Sequence, residues 1–285
     1  MVKSELKADP PSTSAQTQAR SAAPPPSSGT PPTRPNPALA LLAPGAVIFG
    51  FFLLWYLASL RVHAYLMPSP YAAMIAGIGE IRAGHLANDI VASLFRVALA
   101  FTISTVLGVP AGLLLGQSAG ARRAFLPLLN FFRFISPLSW IPFAILWFHI
   151  GDKPAIFLIF MATFFPIAIA TMSAVANIPS IYFRVAKDYN YRGIDLLTKV
   201  TFPAVMPQII TALRVSFGIA WVVIVAAEMV GCQDGLGYGI WDARNGLRLD
   251  IAVSYMVVIG ALGMIFDRLL AQLSKLPNVR WGYER

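Results

Sequence analysis

Residues 177–203 read NIPSIYFRVAKDYNYRGIDLLTKVTFP. Arg184, Lys187, Arg192 and Lys199 stand there among apolar residues at roughly helical spacing, too polar to cross a bilayer. A connection this long does more than reverse the chain direction. The segments on either side are apolar and each near the ~20 residues that a helix needs to cross a hydrocarbon core. The pattern predicts two membrane spans joined by an amphipathic helical loop.

Outward from that loop, apolar runs predict six spans at about 38–60, 89–116, 124–150, 154–176, 204–230 and 251–273. Of all residues, 57% are hydrophobic and 12% charged, whereas about a quarter are charged in soluble domains. The fold class is therefore all-α, a polytopic membrane protein with one membrane domain over 38–275. Pro127, Pro137 and Pro142 each remove a backbone donor within the third run, so its helix is expected to break. The stretch between the first two runs reads as an external amphipathic segment, and GCQDGLGYGIWDARNGLRLD as an external loop. Residues 1–37 are rich in Pro and Ser and are expected to form a disordered cytoplasmic tail; 276–285 form a second cytoplasmic tail. The first apolar run begins too late for a leader peptide.

The formal net charge is +9, but the basic residues flank apolar runs and form no stripe with interleaved aromatics, so no nucleic acid is expected as a partner. They act as topology signals, which puts both termini and the 177–203 loop on the cytoplasmic side. Cys232 is the sole cysteine and excludes an intramolecular disulfide. His63, His85 and His149 lack metal-ligand spacing, and there is no GxxxxGK[S/T] phosphate loop and no catalytic constellation. The chain is expected to bind no metal or cofactor and to be no enzyme.

Arg96, Arg133, Arg214 and Glu228 lie within or near expected spans, where a charge normally faces the protein interior. Arg96 and Arg133 could give a positive field along an anion path, or snorkel or pair within the bundle. Glu228 could pair with an arginine, cap the external loop or serve in a proton relay. Together Arg96, Arg133 and Glu228 are candidates for a translocation path. Gly108, Gly112 and Gly116 recur every four residues and predict close helix packing.

RVAKDYN, followed by VTFPAVMP, resembles the cytoplasmic motif of ABC importer permeases: EAA, three residues, G, nine residues, I, one residue, LP. In that register Arg184 stands at the Glu, Val185 and Ala186 at the two Ala, Asn190 at the Gly, Val200 at the Ile, and Pro203 at the Pro. Arg184 departs from the family acid. Asn190 departs from the glycine, although Asn also tolerates the left-handed conformation. LFRVALAF, GVPAGLLLG, WIPFAILWFHIGD, PQIITALRVSFGIAWVVIVAAEM, LGYGIWDARNGLRLD and FDRLL are similar to the nitrate, sulfonate, taurine and bicarbonate branch of these permeases.

The resemblance implies the type I ABC importer permease fold in a bacterial inner membrane and a small oxyanion as cargo. It implies three partners: an ATPase subunit carrying ATP and Mg, a periplasmic or lipid-anchored solute-binding protein, and a second permease copy in a homodimer. Arg184, Val185, Ala186, Lys187, Asp188, Tyr189, Asn190, Val200 and Pro203 would form the ATPase-coupling loop, centred on residues 180–195. The alternative is a stand-alone ion-coupled carrier or channel, which would call for inverted repeats and paired intramembrane carboxylates.

Overall fold

The computed structural model describes residues 37–62 and 67–273. The expected tails lie outside them, apart from Pro37, which opens the first helix. The described residues are helical, with no strand among them. The chain divides into residues 1–51 and 52–285. The helix α1, Pro37–Arg61, contains the first expected span and bridges this division.

In the second unit, α2 covers Pro70–Ala83 and α3 His85–Gln117. Ser69 caps α2 by accepting from the Ala72 N–H at 3.2 Å, and Gly84, at φ +82°, closes α2 and opens α3 in one left-handed step. The run expected to start at 89 is thus helical from His85.

The proline-rich third run is two helices, α4 (Ala119–Phe134) and α5 (Ile141–Phe148), bent by 80°. A 3₁₀ turn over Pro137–Trp140 lies between them. Pro127 is carried inside α4; the break comes at Ile135 and Ser136, both extended at ψ 121° and 128°. A residue before proline is biased away from the helical region, and Ser136, before Pro137, follows that bias.

The helix α6, Asp152–Ala176, runs through the middle of the bundle and is heavily buried. Gly108, Gly112 and Gly116 of α3 lie against it. A Cβ on Gly112 would come within 2.6 Å of the Ala168 carbonyl oxygen and of Thr171 Cβ; one on Gly116 would come within 2.7 Å of Val175 Cβ. The four-residue glycine spacing therefore sets how closely α3 and α6 approach.

Next come α7 (Ser180–Asp188), α8 (Gly193–Leu196), a π turn over Leu197–Thr201, and α9 (Phe202–Gly231). The last three are continuous, so the helix of the fifth expected span starts at Gly193, not Ala204. Pro203 lies in the first turn of α9, and the widened π turn before it lets the Thr201 hydroxyl donate to the Leu196 carbonyl at 3.1 Å.

The stretch read as an external loop holds a further helix, α10 (Leu236–Asn245), before α11 (Leu249–Leu273). Its glycines suggest a loop, but they serve close packing: a Cβ on Gly237 would crowd Glu228 Cβ at 2.9 Å, and Gly239 abuts the Tyr255 ring. Among the described residues four helices are long and apolar enough to cross a membrane, or five when the bent α4–α5 pair is counted as one span, against six expected runs; Gly45–Arg61 of the first run is a shorter apolar helix.

Among the described residues three apolar clusters hold the bundle together, one of them formed by Leu129, Phe165, Ile169 and Met172 between α4 and α6. A second, at the α10 end, gathers Leu86, Val97, Leu158, Ile224 and Leu236. The third, at the α7 end, gathers Val109, Leu113, Ile167, Val205 and Ile209.

Candidate functional sites at opposite ends of the bundle

At one end stands α7. Its Ala186 is buried, whereas Ile181, Tyr182, Val185 and Tyr189 remain exposed, Tyr189 by 73%. The helix ends in a Schellman motif: the Asn190 N–H donates to the Lys187 carbonyl at 2.9 Å and the Tyr191 N–H to the Ala186 carbonyl at 2.9 Å. Asn190 has φ +58°, so it supplies the left-handed residue that glycine supplies in the related motif. The Tyr189 and Tyr191 rings stack at 6.4 Å, and Lys199 lies 5.3 Å from the Tyr191 ring while pairing with Asp195 at 2.8 Å.

A groove of about 460 Å³ results, lined by Ile181, Tyr182, Val185, Tyr189, Val200 and Pro203 among others. Val200 and Pro203, seemingly remote from α7 in sequence, thus join its apolar face. Arg184, at the position of the family acid, is exposed and donates to the Ser180 hydroxyl at 3.2 Å; Lys187 and Asp188 point to the surface.

At the other end, Arg96 of α3 is buried, and its guanidinium donates four hydrogen bonds. Nε donates to Asp152 Oδ1 at 2.7 Å, and Nη1 donates to Glu228 Oε1 at 2.8 Å and to the Asp234 carbonyl at 2.9 Å. Nη2 bonds Asp234 Oδ1 and lies 2.6 Å from Asp152 Oδ1. Three carboxylates surround one guanidinium, so its charge is more than balanced. Arg133 is not among these groups; it is exposed near the end of α4, 5.3 Å from the Phe134 ring.

Glu228, fully buried, both pairs with the arginine and caps the neighbouring helix. Gly235, Leu236 and Gly237 open α10, and their N–H groups donate to Asp89, Ser93 and Glu228 at 2.8, 2.8 and 2.9 Å. Three side chains from α3 and α9 therefore satisfy donors that a helix start leaves orphaned. The Ser93 hydroxyl also donates to the Glu228 carboxylate, at 2.8 and 2.9 Å from its two oxygens, and Tyr255 of α11 donates to Asp89 at 2.7 Å. Gly235 must be glycine: its φ is +106°, and a Cβ would fall 2.6 Å from Arg96 Nη1.

Asp89, Ser93, Asp152, Asp234 and Tyr255 escaped the sequence reading because no local pattern links them. Only the recurrence of opposite charges, Arg96 and Glu228, near equivalent ends of two apolar runs hinted at the cluster. Beside it, buried Cys232 donates to the Gly151 carbonyl at 3.3 Å. Burial pushes its thiol up to about 12, which leaves it unreactive at neutral pH.

Known proteins share this architecture. A chain of a bacterial alginate ABC transporter, solved in complex with an alginate pentasaccharide-bound periplasmic protein, superposes with a TM-score of 0.61 at 15% identity, covering 83% of this chain and 93% of that one. The bicarbonate transport system permease protein CmpB of Synechococcus elongatus is 34% identical over 82% of this chain and 88% of its own length. The nitrate import permease protein NrtB of Synechocystis is 35% identical, over 67% and 70%. The model of the family described as binding-protein-dependent transport system inner membrane component matches residues 105–276. The chain belongs to that family, the permeases of ABC importers.

Proposed function

We propose that this chain is the membrane subunit of an ATP-driven importer for a small oxyanion, working as a homodimer with an ATPase docked on α7 and a solute-binding protein at the α10 end. ATP and Mg reside on the ATPase, and both termini face the cytoplasm. The observation that carries the reading is the exposed apolar face of α7 and its groove. An amphipathic helix that leaves its apolar residues uncovered by its own chain is suited to lie in a partner's cleft and to transmit the partner's motion. Residues 180–195 are the coupling region. The cargo class is supported by the names of the bicarbonate and nitrate relatives.

The test is association. Solubilised chain should co-purify with its cognate ATPase; deletion of residues 180–195 should abolish this, and Val185→Glu, which leaves α7 in place, should weaken it. Full association by both variants would overturn the docking assignment. ATP-independent transport by the chain alone in proteoliposomes would favour the stand-alone carrier, a reading that family membership does not favour.

A further inference from the structure

Arg214 and Asp267 form an ion pair that the reading above leaves without a role. Arg214 lies on α9, about 21 Å along the helix axis from Glu228 at 1.5 Å per residue, and Asp267 lies on α11. Nε donates to Oδ1 at 2.8 Å and Nη2 to Oδ2 at 2.7 Å, a two-pronged pairing. Unlike the buried Arg96 cluster, the side chains are 45% and 58% exposed.

The pair shares its exposed helix face with Gln208, Thr211 and Gly218. Charged groups on a span are served by protein or water and not by acyl chains, so this face of α9 borders an aqueous path or a second copy. A mostly apolar furrow of about 400 Å³ between α6 and α9, walled by Pro166, Ala170, Ala174 and Val215 with Asn177, Gln208 and Thr211 among them, ends beside Arg214 and does not include it. Its polar groups are uncharged amides and hydroxyls.

The partner in the guanidinium fork is itself a planar anion with two coplanar oxygens. Nitrate and bicarbonate present the same edge, and a bidentate fork recognises that shape. We propose that Arg214 is the anion-binding group of the translocation path, for planar oxyanions, and that Asp267 is its built-in stand-in, occupying the fork when no cargo is there. Arg96 is buried and held by Asp152, Glu228 and Asp234 together, so it is closed to cargo, whereas the Arg214 pair is half-exposed. Competition from Asp267 keeps cargo affinity low, so that an ion entering the path also leaves it. The inference rests on the permease reading.

Nitrate binding to the full chain in lipid nanodiscs tests it. Asp267→Asn should bind nitrate about tenfold more tightly than the parent, because the competing carboxylate is gone. Arg214→Gln should bind none. Arg214→Lys, which keeps the charge pair but loses the fork, should also lose affinity. No gain in Asp267→Asn, or parental affinity in Arg214→Lys, would overturn the proposal and leave a structural ion pair. Nitrate uptake by the reconstituted importer separates the two levels. Arg214-dependent binding without ATP-driven uptake upholds the anion site and removes the importer reading; uptake without any change in binding does the reverse.

Discussion

At the scale of single residues, Arg96 shows why a charge can be buried at the end of a span. Its desolvation is offset because three carboxylates surround it, and the buried one, Glu228, is itself held by Ser93 and Gly237. Removing one partner strands the other. Glu228→Ala and Arg96→Ala should each cost about 3–5 kcal/mol, and the double variant clearly less than the sum. Chemical unfolding of the purified chain in detergent, run as a double-mutant cycle, measures this; additive losses would show that the two groups do not depend on one another.

Among the elements, α7 ends on a single residue with an unusual backbone conformation. Asn190 holds the left-handed position that turns the chain towards Tyr191 and so completes the groove. A β-branched side chain is strained there by about 1–2 kcal/mol, whereas glycine is not. Asn190→Val should speed amide exchange across residues 186–191, and Asn190→Gly should leave it unchanged; equal protection in both would mean that the motif does not hold the end of α7. The α3–α6 seam follows the same logic in reverse. There Gly112 and Gly116 are needed for closeness, not for backbone freedom.

For the whole molecule, orientation is the property on which the proposed function depends. The sole cysteine is buried and inert, so single cysteines can be introduced against a silent background. Asp242→Cys, exposed on α10, should react with an impermeant maleimide in intact cells. Ile194→Cys, 79% exposed at the α7 end, should react only after the membrane is opened. The opposite pattern would place α7 outside, where no ATPase could reach it.

Hydropathy and spacing by themselves determined the all-helical fold with several long apolar helices, the amphipathic stretch at 177–203, the glycine seam and the left-handed tolerance of Asn190. These are local properties, written within a few helical turns. Only the tertiary structure decided that Asp89, Ser93, Arg96, Asp152, Glu228, Asp234 and Tyr255 meet at one end, that a helix hides in the glycine-rich stretch after α9, and that α9 is continuous with the turn before Pro203. Each of these depends on the rotational phase at which one helix packs against another, and that phase is fixed by contacts between residues far apart in the chain.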